Sequence, residues 1–281
     1  MPNDTDAIQR ELALVVVEKE PSPETLRFAE RVCDALGFGS VLVHVAPVDE
    51  APEVGQDLLD DAQNMRLEKR TDSKVLMGNA EHEILAELDR RPYQLVILGT
   101  AHKRIEHPPA QLTRRLAEKA KVSVVVIRKP PQALQNMLIC TGGSPRSVPA
   151  IKWGIRLAKA TDANTTILHV AGSPPAMYTG LDALDEGIQD VLERDSPLGQ
   201  HLRDAAAMAE EAGIEANMEL RHGIVAEEIL RACDVTPYDL VVIGAPKPGA
   251  FLDRLMLGRV GPQLLASNPY STLIVRSETN D

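Results

Sequence analysis

The 281-residue chain predicts an α/β protein made of two consecutive copies of one unit, each with parallel strands and helices on both faces of its sheet. Three observations lead there. First, the sequence repeats itself. Pro92-Tyr93-Gln94-Leu95-Val96-Ile97-Leu98-Gly99 returns as Pro237-Tyr238-Asp239-Leu240-Val241-Val242-Ile243-Gly244, and Gly78 before Ile84-Leu85 returns as Gly223 before Ile229-Leu230, both at an offset of 145 residues. Leu42-Val43-His44-Val45-Ala46 returns as Ile167-Leu168-His169-Val170-Ala171 at an offset of 125, so the second copy carries 20 extra residues, all within Gly172–Leu198. A repeat this long is a duplicated domain, because solenoid units run to roughly 20–50 residues. Second, β-branched runs alternate strictly with amphipathic stretches, an order that forces parallel strands joined by right-handed crossovers. Third, the length suits two domains at about 100–200 residues each. The expected domains are residues 1–130 and 136–281.

In the first copy Leu12–Val17 is a continuous β-branched run, the pattern of a strand buried on both faces. Pro23 then precedes the amphipathic stretch Glu24–Leu36, with Leu26, Ala29, Val32, Cys33 and Leu36 three and four residues apart. Val41–Val45 reads as the second strand, residues 56–69 as a charged helix, Lys74–Met77 as a short strand and Glu81–Leu88 as a helix. Leu95–Leu98 is the fourth strand. A polar loop leads to the helix Pro109–Ala120, whose proline suits a first turn, and Val122–Ile127 is the fifth strand. The linker Lys129-Pro130-Pro131-Gln132-Ala133-Leu134 is short and stiffened by two prolines.

The second copy repeats the plan from Met137 through the helix Ala150–Ala160, the strand Thr165–Val170, and a long segment ending in the helix Gln200–Ala212. The strand Ala216–Leu220, the helix Ala226–Cys233, the strand Leu240–Ile243, the helix Asp253–Ala266 and the strand Ser271–Val275 complete it.

Composition narrows the function. With 44% hydrophobic and 25% charged residues the chain is ordinary globular protein, and with 3% aromatics its core falls to Val, Leu, Ile and Ala. A net charge of −11 argues against nucleic acid or an anionic membrane as partner. No apolar run approaches the roughly 18 residues of a membrane span, and the acidic start Met1-Pro2-Asn3-Asp4-Thr5-Asp6 is unlike a secretory signal, so a cytoplasmic location is expected. Cys33, Cys140 and Cys233, odd in number and widely spaced, read as small buried hydrophobes in a reducing compartment; no disulfide framework or metal site is expected. Among seven His residues there is no His-Glu-x-x-His, and Gly-x-Ser-x-Gly is absent, so no nucleophile is nominated and a non-enzyme is favoured. His44 and His169 occupy the same position in each copy, which implies a shared structural role.

From Met137 to Arg276 the chain resembles the universal stress protein family, with the first copy a weaker relative. The resemblance rests on Met137-Leu138-Ile139-Cys140-Thr141-Gly142-Gly143-Ser144 entering a helix, Leu168-His169-Val170, Arg221-His222-Gly223, and Leu240-Val241-Val242-Ile243-Gly244 followed by Leu255-Met256-Leu257-Gly258. It implies two tandem flavodoxin-like, Rossmann-type domains, each a five-stranded parallel sheet of order 3-2-1-4-5. Ligands of such sheets lie beyond the carboxyl ends of strands one and four, where the order reverses. Many members bind ATP through Gly-x2-Gly-x9-Gly-Ser/Thr after strand four, where glycines let backbone N–H groups close on phosphate. By that resemblance the second copy's site comprises Thr141, Gly142, Gly143, Val170, Gly244, Ala245, Lys247, Gly249, Gly258 and Arg259. It departs from the motif: Lys247 stands at the second glycine, the Gly244–Gly258 stretch is one residue longer, Arg259 replaces the hydroxyl residue, and Gly142 replaces the strand-one Asp. Lys247 and Arg259 are donors suited to phosphate.

In the first copy Gly99 is followed by Thr100, Ala101, His102, Lys103, Arg104, Ile105, Glu106 and His107 with no further glycine, and Val17-Glu18-Lys19-Glu20 places acid where phosphate would approach. No ATP is expected there; His102, Lys103, Arg104 and His107 read as a polar loop, with an anion or a partner as the alternative. Three functions follow: a stress-response regulatory protein acting through binding, with or without ATP in the second copy; a slow ATPase; or an interaction scaffold without nucleotide. Family members pair through their fifth strands, which implies an intramolecular pseudo-dimer joining Val122–Ile127 to Tyr270–Val275, both apolar edges that would otherwise invite aggregation. A homodimer and a protein partner are further expectations. The extra segment, with Pro174-Pro175, Met177, Tyr178, Leu181 and Leu184 beside acidic residues, leaves strand two at the ligand edge and reads as a lid or a surface insertion.

Overall fold

The computed structural model describes residues 11–66, 71–99, 111–172, 187–248, 260–267 and 269–277. The first strand, β1 (Leu12–Val16), leads to α1 (Pro23–Leu36). The chain chemistry sets that helix's ends: Ser22 accepts the Thr25 N–H at 3.3 Å, Pro23 sits in the first turn, and Gly37 closes the helix at φ +68°, with Phe38 N–H reaching Cys33 O at 2.8 Å. Next come β2 (Gly39–Ala46), α2 (Pro52–Asn64), β3 (Asp72–Met77), α3 (Ala80–Arg90), β4 (Tyr93–Gly99), α4 (Gln111–Lys119) and β5 (Ser123–Ile127). The second copy comprises β6 (Asn136–Thr141), a 3-10 turn Pro145–Ser147, α5 (Val148–Thr161), β7 (Asn164–Ala171), α6 (Ile188–Glu193), α7 (Pro197–Glu211), β8 (Ala216–His222), α8 (Val225–Val235), β9 (Leu240–Pro246), α9 (Val260–Ser267) and β10 (Ser271–Ser277). No described helix is long and apolar enough to cross a membrane.

The strands form one mixed ten-stranded sheet, ordered β3-β2-β1-β4-β5-β10-β9-β6-β7-β8. Every described pairing is parallel except β5 with β10, where Val124, Val125 and Val126 lie antiparallel to Ile274, Leu273 and Thr272. Side chains alternate across the sheet: Ala13 and Val15 pack with α1, α2, α5 and α7, while Leu14 packs with α3, α4, α8 and α9. The seam between the copies is reciprocal. Arg128 N–H donates to Ser271 Oγ at 3.1 Å and its guanidinium to Leu265 O, near the end of α9, at 2.5 Å. Arg276 N–H donates to Ser123 Oγ at 3.2 Å, and its guanidinium reaches Ala117 O, near the end of α4, and Pro246 O at 2.9 Å. Phe38 meets Trp153 edge-to-face at 5.6 Å, and Arg156 lies 5.8 Å above the Phe38 ring.

Several boundaries differ from expectation, among them α7, which starts at Pro197 ahead of Gln200. The helix expected at 56–69 is α2, which starts at Pro52 because a proline in the first turn loses no hydrogen bond. α5 starts at Val148, ahead of Ala150, with Pro149 in its first turn. The short α6, which carries no long apolar period, lies within the extra segment and was not expected. Pro109, Pro174, Pro175, Met177, Tyr178, Leu181 and Leu184 lie outside the described residues.

Candidate functional site

The crevice lies at the carboxyl ends of β6 and β9, where the sheet order turns from β7 on one side to β10 on the other. Its volume is about 90 Å³. The strand alternation assigns its residues. Cys140 and Gly142 face the α8 side and line the crevice with Ile243, Gly244 and Ala245 of β9. α8 contributes Val225 and Ile229, and the turn into α5 contributes Ser144, Arg146 and Ser147. Ser277 closes the β10 side. Arg146 is exposed and makes no ion pair with any described residue. No side chain caps the 3-10 turn or α5, so the positive end of a helix adds to that guanidinium.

Thr141 points mainly to the other face and anchors the crevice floor to α7. Its hydroxyl lies 2.7 Å from His201 Nε2 and 2.9 Å from Ser147 Oγ, and it accepts the Gly143 N–H at 3.3 Å. Ser147 donates to Ser144 O at 2.7 Å. One proton order satisfies every member: His201 Nε2–H donates to Thr141, Thr141 to Ser147, and Ser147 to the Ser144 carbonyl. His169 Nδ1–H donates to Thr141 O at 3.0 Å. Its counterpart His44 donates to Val17 O at 2.9 Å, so both copies fasten strand two to the end of strand one by the same bond. Burial holds the His169 and His201 pKa values below the usual imidazole range. For His169 the bond to Thr141 opposes burial and His222 reinforces it; for His201, His169 reinforces it and Asp204 opposes it.

Of the expected site residues, Thr141, Gly142, Gly244 and Ala245 line the crevice. Gly143 does not: at φ +72° it faces α7, and a Cβ there would stand 2.7 Å from Leu198 Cδ1 and 2.8 Å from His169 Cε1. Val170 is half-buried against the core on the α8 face, and the half-buried Lys247 follows Pro246 without lining the crevice. Gly249, Gly258 and Arg259 lie outside the described residues, as do His102, Lys103, Arg104 and His107. Motif reading passed over Arg146 and Val225, because it looks for glycines and cations after strand four. Their only signal was adjacency to Gly142-Gly143-Ser144 and Gly223. Among the described residues no group of His, Cys, Asp and Glu could hold a metal ion. Cys140 is half-buried, and burial, with Cys233 and Glu219 nearby, raises its thiol pKa well above the usual value, so it is a poor nucleophile.

The first copy differs at the same place. A Cβ on Gly99 would stand 2.8 Å from Thr25 Cγ2, whereas one on Gly244 would stand 3.5 Å from Ala150 Cβ. Thr25 thus fills space that Ala150 leaves open. Glu18, its pKa raised by burial, follows the first strand.

A profile of the universal stress protein family matches residues 133–276. A universal stress protein of Methanocaldococcus jannaschii is 28% identical over 162 residues, 57% of this chain and 93% of that protein. The universal stress protein YxiE of Bacillus subtilis is 29% identical over 146 residues, 50% of this chain and 98% of that protein. Among solved structures, a protein of Pseudomonas aeruginosa assigned to the same family superposes with TM-score 0.70 at 14% identity, covering 96% of this chain and 94% of its own. A universal stress protein of Archaeoglobus fulgidus gives 0.65 at 13% identity, covering 94% and 98%. At these identities the structural likeness speaks for the fold.

Proposed function

The chain belongs to the universal stress protein family, and from that premise we propose that it is a cytoplasmic stress-response protein that acts by binding an adenine nucleotide, ATP or a close relative, in its second copy. The observation that carries this reading is the crevice at the β6–β9 switch point. Its apolar wall of Val225, Ile229 and Ile243 suits a base, while Arg146 and the positive end of α5 suit a phosphate. Lys247, Gly249, Gly258 and Arg259 belong to the same proposal as the ligand's further contacts, with side-chain cations doing much of what glycines do in the usual motif. Residues 1–130 and 136–281 act as two domains joined as a pseudo-dimer through β5 and β10, a reading supported by the reciprocal Arg128 and Arg276 contacts. The first copy takes no nucleotide: Thr25 narrows its counterpart space, and Glu18 lies at the strand end.

Mass spectrometry of the denatured, freshly purified protein, followed by calorimetric titration with ATP, tests this. One ATP per chain is expected, and the double variant K247A/R259A should abolish it while leaving thermal unfolding of the unliganded protein nearly unchanged. No binding by the wild type, or two ATP per chain, refutes the proposal.

A further inference from the structure

Two breaches of local helix chemistry coincide at the start of α8, whose first residue lines the crevice. The N-cap of α8 is Ile224, whose side chain offers no acceptor to the first turn, and the residue is 61% exposed. Val225, the first residue of α8 and part of the crevice wall, is 37% exposed. At the same place the first copy has Asn79, whose Oδ1 accepts the His82 N–H at 3.1 Å, followed by Ala80. Isoleucine is among the poorest N-caps and asparagine among the best, and an Ile224 that is mostly exposed gains little from the core. One copy follows the rule and the other breaks it twice in adjacent residues. Departures of this kind, with no compensation inside the helix, are expected where function sets the residue.

The rest of the crevice says what would lie against that pair. Arg146 comes from the turn into α5, on the other face of the sheet, and is unpaired among the described residues. Among the described residues no carboxylate lines the crevice, so none of them repels an anion there. At Gly142, where a Cβ would meet nothing within 4 Å, there is open space and no side-chain acceptor. We infer that Ile224 and Val225 are specificity-determining residues of the crevice, receiving the apolar or aromatic body of a small ligand whose anionic end meets Arg146. The inference rests on the proposal above in taking the crevice as a ligand site, and it does not require that the ligand be a nucleotide.

The test transplants the first copy's pair. In the full chain, I224N/V225A restores a capping side chain and removes the apolar lip; R146A removes the cation. The probe is 1-anilinonaphthalene-8-sulfonate, an aromatic body with one negative charge, titrated by fluorescence and displaced by ATP or by octanoate. Wild type should bind it saturably. I224N/V225A should weaken that binding about ten-fold while its thermal midpoint rises by about 2 °C or more. R146A should weaken it by a similar factor and remove most of its salt dependence. Stability and affinity moving in opposite directions is a result that a merely structural role for Ile224 does not produce. Unchanged affinity in either variant overturns the inference, as does a wild type that shows no saturable binding. A fall in midpoint accompanying the lost affinity also overturns it, because the loss would then trace to damage in α8. Displacement by ATP supports both readings. Displacement by octanoate alone supports the lip and refutes the nucleotide.

Discussion

Removing both seam arginines, R128A/R276A, should cost about 4 kcal/mol of stability. Each guanidinium donates to a carbonyl near the end of a helix in the other copy, Arg128 to Leu265 and Arg276 to Ala117, and Arg276 also holds Pro246 O at the end of β9 in its own copy. Leu265 is 2% exposed and Ala117 6%, so truncation leaves those carbonyls with little access to water. A hydrogen bond from a charged donor is worth about 1.5–3 kcal/mol, and a stranded buried acceptor costs about 1–3 kcal/mol, so about 2 kcal/mol per site is a moderate expectation. The favourable placing of a cation at a helix carboxyl end is part of that figure. The two sites lie at opposite ends of the β5–β10 pair, beside Ser271 and Ser123, so their costs should add. Against a total of about 5–15 kcal/mol this is a large share. Urea unfolding followed by circular dichroism measures it, and hydrogen exchange at Val124–Val126 should accelerate because the seam opens first. Lysine should rescue position 128 better than position 276, since a single ammonium replaces one guanidinium contact more easily than two diverging ones. A loss below about 0.5 kcal/mol in the double variant refutes the reasoning, because that is the scale of an ordinary surface substitution.

Gly143→Ala should destabilise by about 2 kcal/mol in urea unfolding, from its φ of +72° and the approach of Leu198 and His169. Asp239 accepts the Gln135 and Asn136 N–H groups at 2.7 and 2.9 Å, so Asp239→Ala should cost about 2 kcal/mol and free the start of β6. His169 and His201 have lowered folded-state pKa values, so the unfolded chain takes up protons first as pH falls. Their contribution is complete above the unfolded value of about 6.5 and is lost as pH drops from there toward the folded values. His201→Gln should flatten the decline of the urea midpoint between about pH 6.5 and 5; an identical decline would show that His201 does not titrate in that window.

The elements themselves were largely legible. Tyr93 and Tyr238, repeated in the sequence, are both buried, one opening β4 and the other just ahead of β9, and His44 and His169 make the same bond. These readings worked because a duplication repeats its structural contacts, so each copy vouches for the other. The start of α2 was misplaced by four residues because the period of Leu59 and Ala62 gives a helix's face but not its first turn. Thr141, Gly142, Gly244 and Ala245, named from the family resemblance, line one crevice because β6 and β9 run side by side. Gly143 was misread: its neighbours in sequence line the crevice, but its positive φ turns it toward α7.

The sequence by itself determined the internal repeat, the alternation of strands and helices, and which strand ends meet in the crevice. All of these depend on local period and on residue types that a short window carries. Only the tertiary structure decided that His201 completes the bond to Thr141 across 60 residues of sequence. The same holds for the seam, where Arg128 reaches Leu265 across 137 residues, and for Arg146 and Val225 lining one crevice from opposite faces of the sheet. The physical reason is that such contacts depend on how the sheet and its helices pack, and neither partner carries a local signal that names the other.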